Sequence, residues 1–243
     1  MFTSVFLCYN LNKEGGYMKI LFLGDSITEG NPGVSYVDQF KKETSHQCIN
    51  RGKGGDTVSS LYRRVKAMDD LASYDRIVLF VGINDVFGQI TLIHKIFKYA
   101  KRQVWAKDLK SFIHQYRVLL EFLIKKNAHI LILPPLLIGE DISNPYNQTL
   151  VRYREGINEL ATTYSVGYID AYKKMVDYLE DKSPSNYLPL SLIEIYQDTK
   201  LDSSQMMNTS LKRGLFLTID GVHLNEVGAS MITSLLKEAI KKG

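Results

Sequence analysis

The sequence predicts an α/β fold in which a central sheet of five parallel strands is covered by helices on both faces, giving a three-layer α/β/α sandwich. The main observation is that short apolar runs alternate with longer segments of helical spacing, a pattern typical of strand–helix–strand crossovers. Length and composition agree, because 243 residues, 45% of them hydrophobic, suit one such domain with a sizeable core. No internal repeat or linker divides the chain, so residues 18–243 are predicted to form a single domain.

Five apolar runs are the predicted strands. They are residues 19–24, 48–50, 76–82, 129–133 and 166–169. The third (RIVLFVG) is the strongest and the fifth (VGYI) is weaker. Compact apolar runs bounded by glycine, proline or polar residues are typical of parallel strands buried on both faces.

Segments with helical spacing lie between and after these runs. The predicted helices cover roughly residues 36–44, 57–71, 104–126, 146–164 and 225–241. In the last of them Val227, Met231 and Leu235 recur at helical intervals. Reactive groups in such a fold gather at the carboxyl ends of the strands, so the polar residues that follow each strand are the candidates for a functional site.

Charge and hydropathy narrow the classes of partner. The net charge of +4 comes from 30 basic and 26 acidic residues scattered along the chain, which does not favour a nucleic-acid partner. No apolar stretch approaches the ~20 residues that span a bilayer, so stable membrane insertion is not expected. Cys8 and Cys48 form no disulfide framework, which fits a reducing compartment and a cytoplasmic location.

The first 17 residues are predicted to lie outside the domain. They contain a short apolar run but no basic region before it and no small-residue cleavage site, which argues against a secretory signal. Residues 13–18 (KEGGYM) can be encoded by a purine-rich stretch just before an ATG, as in a bacterial ribosome-binding site. We therefore expect residues 1–17 to be a non-native or disordered extension of a bacterial protein that begins at Met18.

The first predicted strand is followed directly by Gly24-Asp25-Ser26. A serine at a strand end, just before a helical turn, can point its hydroxyl into the crevice near the positive end of that turn. A plain turn is the alternative. The Gly-x-Ser-x-Gly elbow of the usual α/β-hydrolases is absent.

The next two predicted strands are followed by groups that could assist such a serine. The second is followed by a glycine-rich loop that matches neither phosphate-binding signature but can offer a backbone N–H, from Gly55 rather than Gly54. The third is followed by Gly82-Ile83-Asn84-Asp85, where the amide of Asn84 could point into the same crevice. Asparagine is equally common as a turn former.

Near the C-terminus the sequence Asp220-Gly221-Val222-His223 precedes the last helix. An aspartate three residues before a histidine on a tight loop can accept a hydrogen bond from one imidazole nitrogen and leave the other available as a base. Taken alone, this pattern is common.

Taken together, these four blocks resemble the SGNH/GDSL hydrolase family, which carries Gly-Asp-Ser, a glycine block, Gly-x-Asn-Asp and Asp-x-x-His in this order. The resemblance covers about residues 18–242 and implies a flavodoxin-like fold. It implies that Ser26 is the nucleophile, His223 the base and Asp220 the residue that orients the imidazole. The oxyanion donors would be the backbone N–H groups of Ser26 and Gly55 and the amide of Asn84. We expect Asp25 and Asp85 to cap turns and backbone donors.

No cofactor or metal is expected, since the five histidines show no ligand spacing. The expected substrate is a small acyl ester, with an acetyl ester of a carbohydrate as one candidate. A thioesterase or lysophospholipase with the same triad, or a non-catalytic flavodoxin-like binding module, remain alternatives.

Two stretches are longer than the core requires. Residues 86–103 would form either a solvated helix face or a basic and aromatic rim over the site. Residues 183–217 would form a lid, a dimer contact or a packed surface excursion, which leaves a homo-oligomer open.

Overall fold

The computed structural model describes residues 16–90, 104–127, 129–188 and 192–242. The proposed N-terminal extension lies outside these residues except for Gly16 and Tyr17. Its non-native origin therefore stays a prediction, as does the assignment of residues 18–243 to one domain.

The predicted five-stranded parallel sheet is confirmed. The strands are β1 (Lys19–Gly24), β2 (Gln47–Gly52), β3 (Arg76–Phe80), β4 (Ile130–Leu133) and β5 (Gly167–Tyr168). All pairings are parallel and the order is β2-β1-β3-β4-β5. Compared with the prediction, β2 is longer at both ends, β5 is shorter, and β3 ends two residues earlier.

The predicted covering of the sheet by helices on both faces is confirmed, although the sequence predicted only five of the helices. The observed helices are α1 (Ser26–Glu29), α2 (Tyr36–Glu43), α3 (Val58–Lys66), α4 (Ile83–Ile90), α5 (Leu109–Lys126), α6 (Pro145–Thr163), α7 (Ala171–Leu179), α8 (Leu192–Asp198), α9 (Ser203–Lys212) and α10 (Glu226–Lys242). α10 packs against α2 and α7 in one layer, while α5 packs against α3 and α6 in the other. The inner strands are buried on both faces for this reason, and Ile20, Leu21 and Phe22 of β1 are all fully buried.

Two predicted helices differ from the observed bounds by several residues, and the other three by one residue at one or both ends. The helix predicted from residue 104 begins at Leu109, because the Asp108 side chain accepts from the backbone N–H of Ser111 and Ser111 returns a bond in a capping box. The helix predicted to reach residue 71 ends at Lys66, and a short 3₁₀ turn follows at Leu71–Ser73.

The two long stretches are partly described. Of residues 86–103, only the end of α4 is included, so the proposed rim or solvated face lies mostly outside the described residues. In the second stretch, Ser185 donates its N–H to the carbonyl of Gly214 at 3.0 Å, and Arg213 forms an ion pair with Asp198 at 2.7 Å. These contacts pack parts of the stretch on one another, and its roles as a lid or a dimer contact stay predictions. Among the described residues no helix is both long and apolar enough to cross a bilayer.

The strand order fixes where a site can lie. The chain moves from β1 to β2 at one edge and then returns past β1 to β3, β4 and β5. The connections after β1 and β3 therefore leave in opposite directions, and a crevice opens between their carboxyl ends. Gly24 ends β1 and Phe80 ends β3, and the two are paired in the sheet.

Candidate active site

Ser26 lies at the carboxyl end of β1, as the first residue of α1. Asp25 starts the helix, and its side chain accepts from the backbone N–H of Ile27 at 3.1 Å. Gly24 is required here, because a Cβ would lie 2.3 Å from the carbonyl oxygen of Phe80. Ser26 is 8% exposed, so its hydroxyl lies in a crevice with narrow access to solvent.

His223 is brought to Ser26 by the loop before α10. Its Nε2 lies 2.9 Å from the Oγ of Ser26, and its Nδ1 lies 2.6 Å from Oδ2 of Asp220. Asp220 is fully buried, and its other oxygen accepts the backbone N–H groups of Val222 and His223 at 3.0 and 2.8 Å. Because Asp220 holds the proton on Nδ1, the Nε2 lone pair faces the serine hydroxyl. This arrangement can take a proton from Ser26.

The pKa shifts of His223 and Asp220 support this arrangement. Burial alone would lower the pKa of His223, but the charge and hydrogen bond of Asp220 outweigh it, with added contributions from Asp25 and Asp198, and the pKa is raised. Burial would raise the pKa of Asp220, but the charge of His223 and the hydrogen bonds donated to the carboxylate lower it. Asp220 therefore stays ionised and stabilises a protonated imidazole.

The glycine loop after β2 lies beside α1. The N–H of Gly54 donates to Oε2 of Glu29 at 2.7 Å, so this amide is directed at a side chain of α1. Gly55 has a φ of +77°, in the left-handed region that favours glycine. Of the two glycines, the backbone N–H of Gly54 is thus bonded to Glu29, and the choice of Gly55 as an oxyanion donor stays a prediction.

Asn84 lies in the first turn of α4 and not in an isolated turn. Its Nδ2 donates to the backbone carbonyl of Asp56 at 3.1 Å. This bond uses one of the two amide hydrogens and brings the third block against the loop that carries Gly55.

The sequence analysis missed Arg64, which holds the same loop from α3. Its Nε and Nη2 donate to Oδ2 of Asp56 at 2.9 and 2.7 Å, and its Nη1 donates to the carbonyl of Arg51 at 2.8 Å. Ser60 also donates to Asp56, at 2.8 Å. Ser60 and Arg64 lie four residues apart and share one face of α3, and Asp56 lies just before the N-cap of that helix, so the sequence could have revealed this cluster.

Asp85 and Asp25 have the structural contacts expected for them. Asp85 is fully buried and accepts the backbone N–H groups of Val58 and Ala106 at 2.9 and 3.0 Å, joining α3 and the chain before α5 to α4. Asp25 is also buried, and burial raises its pKa to about 7, despite the hydrogen bond from Ile27 and the charge of His223.

Within the described residues, no group of three or more His, Cys, Asp or Glu side chains is arranged to hold a metal ion.

Comparisons with known proteins agree with this architecture. A curated acetylxylan esterase from Geobacillus stearothermophilus is 23% identical over 192 residues, which cover 71% of this chain and 84% of that protein. The solved structure of Axe2, an acetylxylan esterase from the same organism, matches with a TM-score of 0.65 at 19% identity and covers 94% of this chain and 96% of that one. LAE5, an α/β hydrolase from the metagenome of Lake Arreo in Spain, matches with a TM-score of 0.64 at 18% identity, covering 91% and 94% of the two chains. At such identities the structural likeness supports the fold.

The family is shown by a match to a sequence profile. The profile of the GDSL-like lipase/acylhydrolase family matches residues 22–230, which include the serine block at one end and the Asp-x-x-His block at the other. Since this match covers most of the chain, the protein belongs to the GDSL-like lipase/acylhydrolase family and is a carboxylic ester hydrolase.

Proposed function

We propose that this protein hydrolyses small acyl esters, in particular acetyl esters of carbohydrates, with Ser26, His223 and Asp220 as its catalytic triad. The observation that carries the proposal is the unbroken chain of hydrogen bonds from Ser26 Oγ through the imidazole to Asp220, at 2.9 and 2.6 Å. Such a chain is the minimum that an activated serine needs.

The relatives support the choice of residues and of substrate. Catalytic mutants of Axe2 replace a serine, an aspartate and a histidine, and the last two lie three positions apart, as Asp220 and His223 do. Axe2 is described as an acetylxylan esterase and as an acetyl-xylooligosaccharide esterase. An acetylated sugar is therefore the first substrate to test.

In the first half of the reaction, Ser26 Oγ attacks the ester carbonyl while His223 Nε2 takes the hydroxyl proton. The carbonyl electron pair moves to oxygen and forms a tetrahedral intermediate. When that pair returns, the bond to the alcohol breaks and His223 gives its proton to the departing oxygen. An acyl group then remains on Ser26.

In the second half, water replaces the alcohol. His223 takes a proton from the water as it attacks the acyl carbon, and a second tetrahedral intermediate forms. Its collapse releases the carboxylic acid and returns the proton from His223 to Ser26 Oγ. Asp220 keeps the imidazole oriented and stabilises its protonated form in both halves.

The oxyanion of each intermediate would be held by three donors. The backbone N–H of Ser26 belongs to the first turn of α1, where amides have no acceptor within the helix. The loop amide of Gly55 and the remaining amide hydrogen of Asn84 are the other two. Donors fixed before the reaction lower the barrier because they need no reorganisation as charge develops.

The proposal is tested with a fluorophosphonate probe and a set of esters. We expect stoichiometric labelling at Ser26 that is lost in Ser26→Ala and in His223→Ala and kept in His114→Ala, which changes an exposed histidine on α5. Hydrolysis should be fastest for p-nitrophenyl acetate in a series of increasing acyl length, and acetylated xylooligosaccharides should release acetate.

Other outcomes separate the alternatives. Labelling that survives in His223→Ala would show that another group activates Ser26 and would refute the triad. No labelling in the wild type would favour a binding module. A preference for long acyl chains or for thioesters would keep the triad but replace the substrate by that of a lysophospholipase or a thioesterase.

A further inference from the structure

Glu140 is a fully buried carboxylate in the loop between β4 and α6, and the sequence analysis did not single it out. Its Oε2 accepts the backbone N–H of Phe216 at 2.7 Å. Its Oε1 accepts three bonds, from the N–H of Leu217 at 2.9 Å and from the N–H and hydroxyl of Thr218 at 2.7 and 2.6 Å. Four donors are as many as an ionised carboxylate takes.

These bonds lead directly to the loop that carries Asp220 and His223. The hydroxyl of Thr218 donates to Glu140 and accepts the N–H of Gly221 at 3.0 Å. The other side of Gly221 is held as well, because its carbonyl accepts the N–H of Gly139 at 2.7 Å. Residues 139 and 140 thus hold the chain before Asp220 and the glycine between Asp220 and His223.

Packing alone does not require a carboxylate at this buried position. Burying an ionised carboxylate is costly unless hydrogen bonds replace its hydration, and a well-packed apolar side chain would fill the same space without that cost. Charge-assisted hydrogen bonds are shorter and stronger than neutral ones, so they hold the backbone more firmly. The Phe216–Thr218 segment is therefore held by three bonds from its backbone N–H groups and by one from the Thr218 hydroxyl.

We propose that Glu140 is a positioning residue for the hydrolysis reaction, which fixes the loop at residues 216–221 so that the Nε2 of His223 stays within hydrogen-bonding distance of Ser26. This inference rests on the proposed function, because it assigns Glu140 a role through His223. Glu140 affects the position of the His223 side chain. The carboxylates whose charges raise the pKa of His223 are Asp220, Asp25 and Asp198.

The first test is Glu140→Gln, which keeps the size of the side chain but turns one oxygen into an amide that faces backbone N–H donors. A displacement of a base by about 1 Å can lower the rate by two orders of magnitude, so we expect kcat for p-nitrophenyl acetate to fall on the order of ten- to a hundredfold. KM should stay within about twofold, and the acid limb of the pH profile should not move, because the role is positional.

The second test uses the bridge through Thr218 and does not depend on the folding of the Glu140 variant. Thr218→Val removes the hydroxyl that joins Glu140 to Gly221, and Thr218→Ser keeps it. We expect a fall in kcat of about tenfold for the valine variant, by the same loss of positioning, and a rate near that of the wild type for serine.

Asn127→Ala is the control for a general loss of stability. Asn127 is 8% exposed, accepts the N–H of His129 at 2.9 Å and donates to the carbonyl of Leu71 at 3.3 Å, at the opposite end of the sheet from Ser26. Its replacement should lower the melting temperature and leave kcat per folded molecule unchanged.

Two results would overturn the inference. One is a wild-type kcat in both Glu140→Gln and Thr218→Val, and the other is an equal loss in Asn127→Ala. If Glu140→Gln does not fold, the pair at Thr218 decides alone. Failure of the proposed function looks different, since the wild type would then be inactive or Ser26→Ala would keep its activity.

Discussion

Ser26 and His223 are 197 positions apart in the chain, yet their side chains are joined by a hydrogen bond of 2.9 Å. The loop between α1 and α2 helps to bring them together, because the N–H of Val34 donates to the carbonyl of Leu224 at 2.8 Å. At Gly33 the chains are so close that a Cβ would lie 2.7 Å from the same carbonyl. The serine helix and the histidine loop are therefore tied by their backbones as well as by their side chains.

The first prediction concerns the tautomer of His223. In Asp220→Asn the oxygen can keep the backbone bonds from Val222 and His223, while the amide group replaces the oxygen that accepts from Nδ1. An amide N–H donates, so the imidazole must carry its proton on Nε2 and can no longer accept from Ser26. We expect kcat to fall by about 10³- to 10⁴-fold at neutral pH.

The measurement is steady-state hydrolysis of p-nitrophenyl acetate, with circular dichroism to show that the variant is folded. A rate within tenfold of the wild type would show that Asp220 does not set the tautomer. Asp220→Glu is a useful companion, because it keeps the charge but moves the carboxylate by one methylene.

The second prediction concerns the oxyanion. Asn84→Ala removes the amide that is proposed to face the developing negative charge. The hydrogen bond from this amide to the Asp56 carbonyl is lost as well. Loss of one oxyanion donor costs on the order of 100-fold or more in kcat. KM should change little, because the charge exists only in the transition state and the intermediate.

Pre-steady-state kinetics locate this effect, since both acylation and deacylation pass through an oxyanion and both should slow. The melting temperature serves as the control and should fall by only a few degrees. A wild-type kcat in a folded Asn84→Ala would remove this residue from the mechanism.

The sequence predicted the sheet and the identity of the polar side chains at its edge because those signals are local. Each strand is a compact apolar run, and Ser26 directly follows the first of them. Since parallel strands end at one edge, residues far apart in the sequence could be expected to meet there. Ser26 and Asn84 are residues of this kind. His223 lies on a loop that follows no strand of the sheet, and its contact with Ser26 was expected from the family resemblance.

The features that the sequence did not predict depend on distant or backbone partners. Glu140 binds three backbone N–H groups and one hydroxyl 76 to 78 positions away, and backbone groups leave no trace in the residue types of a sequence. By contrast, α7 was missed although Ala171, Met175 and Leu179 recur every four residues and are buried. That signal was present and would have predicted the helix.

The third prediction concerns the loop of Gly55. Arg64 holds it with a guanidinium that donates both to Asp56 and to the Arg51 carbonyl, and a lysine has a single nitrogen that cannot reach all of these acceptors. Arg64→Lys should lower the free energy of unfolding by about 1.5–3 kcal/mol, the range for hydrogen bonds to charged groups. kcat should fall several-fold as the loop loses its support.

Urea denaturation and steady-state kinetics measure the two effects. Arg63→Lys is the matched control, because Arg63 is the exposed neighbour on α3 and its replacement should change neither quantity. Equal effects at the two positions would show that the losses come from replacing any arginine of α3 and not from the contacts of Arg64.

The fourth prediction concerns the pH dependence of stability through Asp25. Burial raises its pKa from 3.8 to about 7, so between these values the folded protein holds a proton that the unfolded chain has released. Stability then falls as the pH rises, by about 1.4 kcal/mol per pH unit. The full loss of stability is reached above the pKa of Asp25 in the folded protein, and no stability is lost below its pKa in the unfolded chain.

Asp25→Asn keeps an oxygen that can accept from Ile27 and removes the titration. The variant should therefore gain stability relative to the wild type as the pH rises from about 4 to about 7, up to about 4 kcal/mol, and keep a constant difference above that. Urea unfolding at pH 4, 5.5, 7 and 8 measures the difference, in which the contributions of other groups largely cancel. The ionised Asp25 also adds to Asp220 in raising the pKa of His223, so the acid limb of the kcat/KM profile should move to lower pH in the variant. Parallel stability curves for the two proteins would show that Asp25 is ionised in the folded state across this range and that its charge is already compensated.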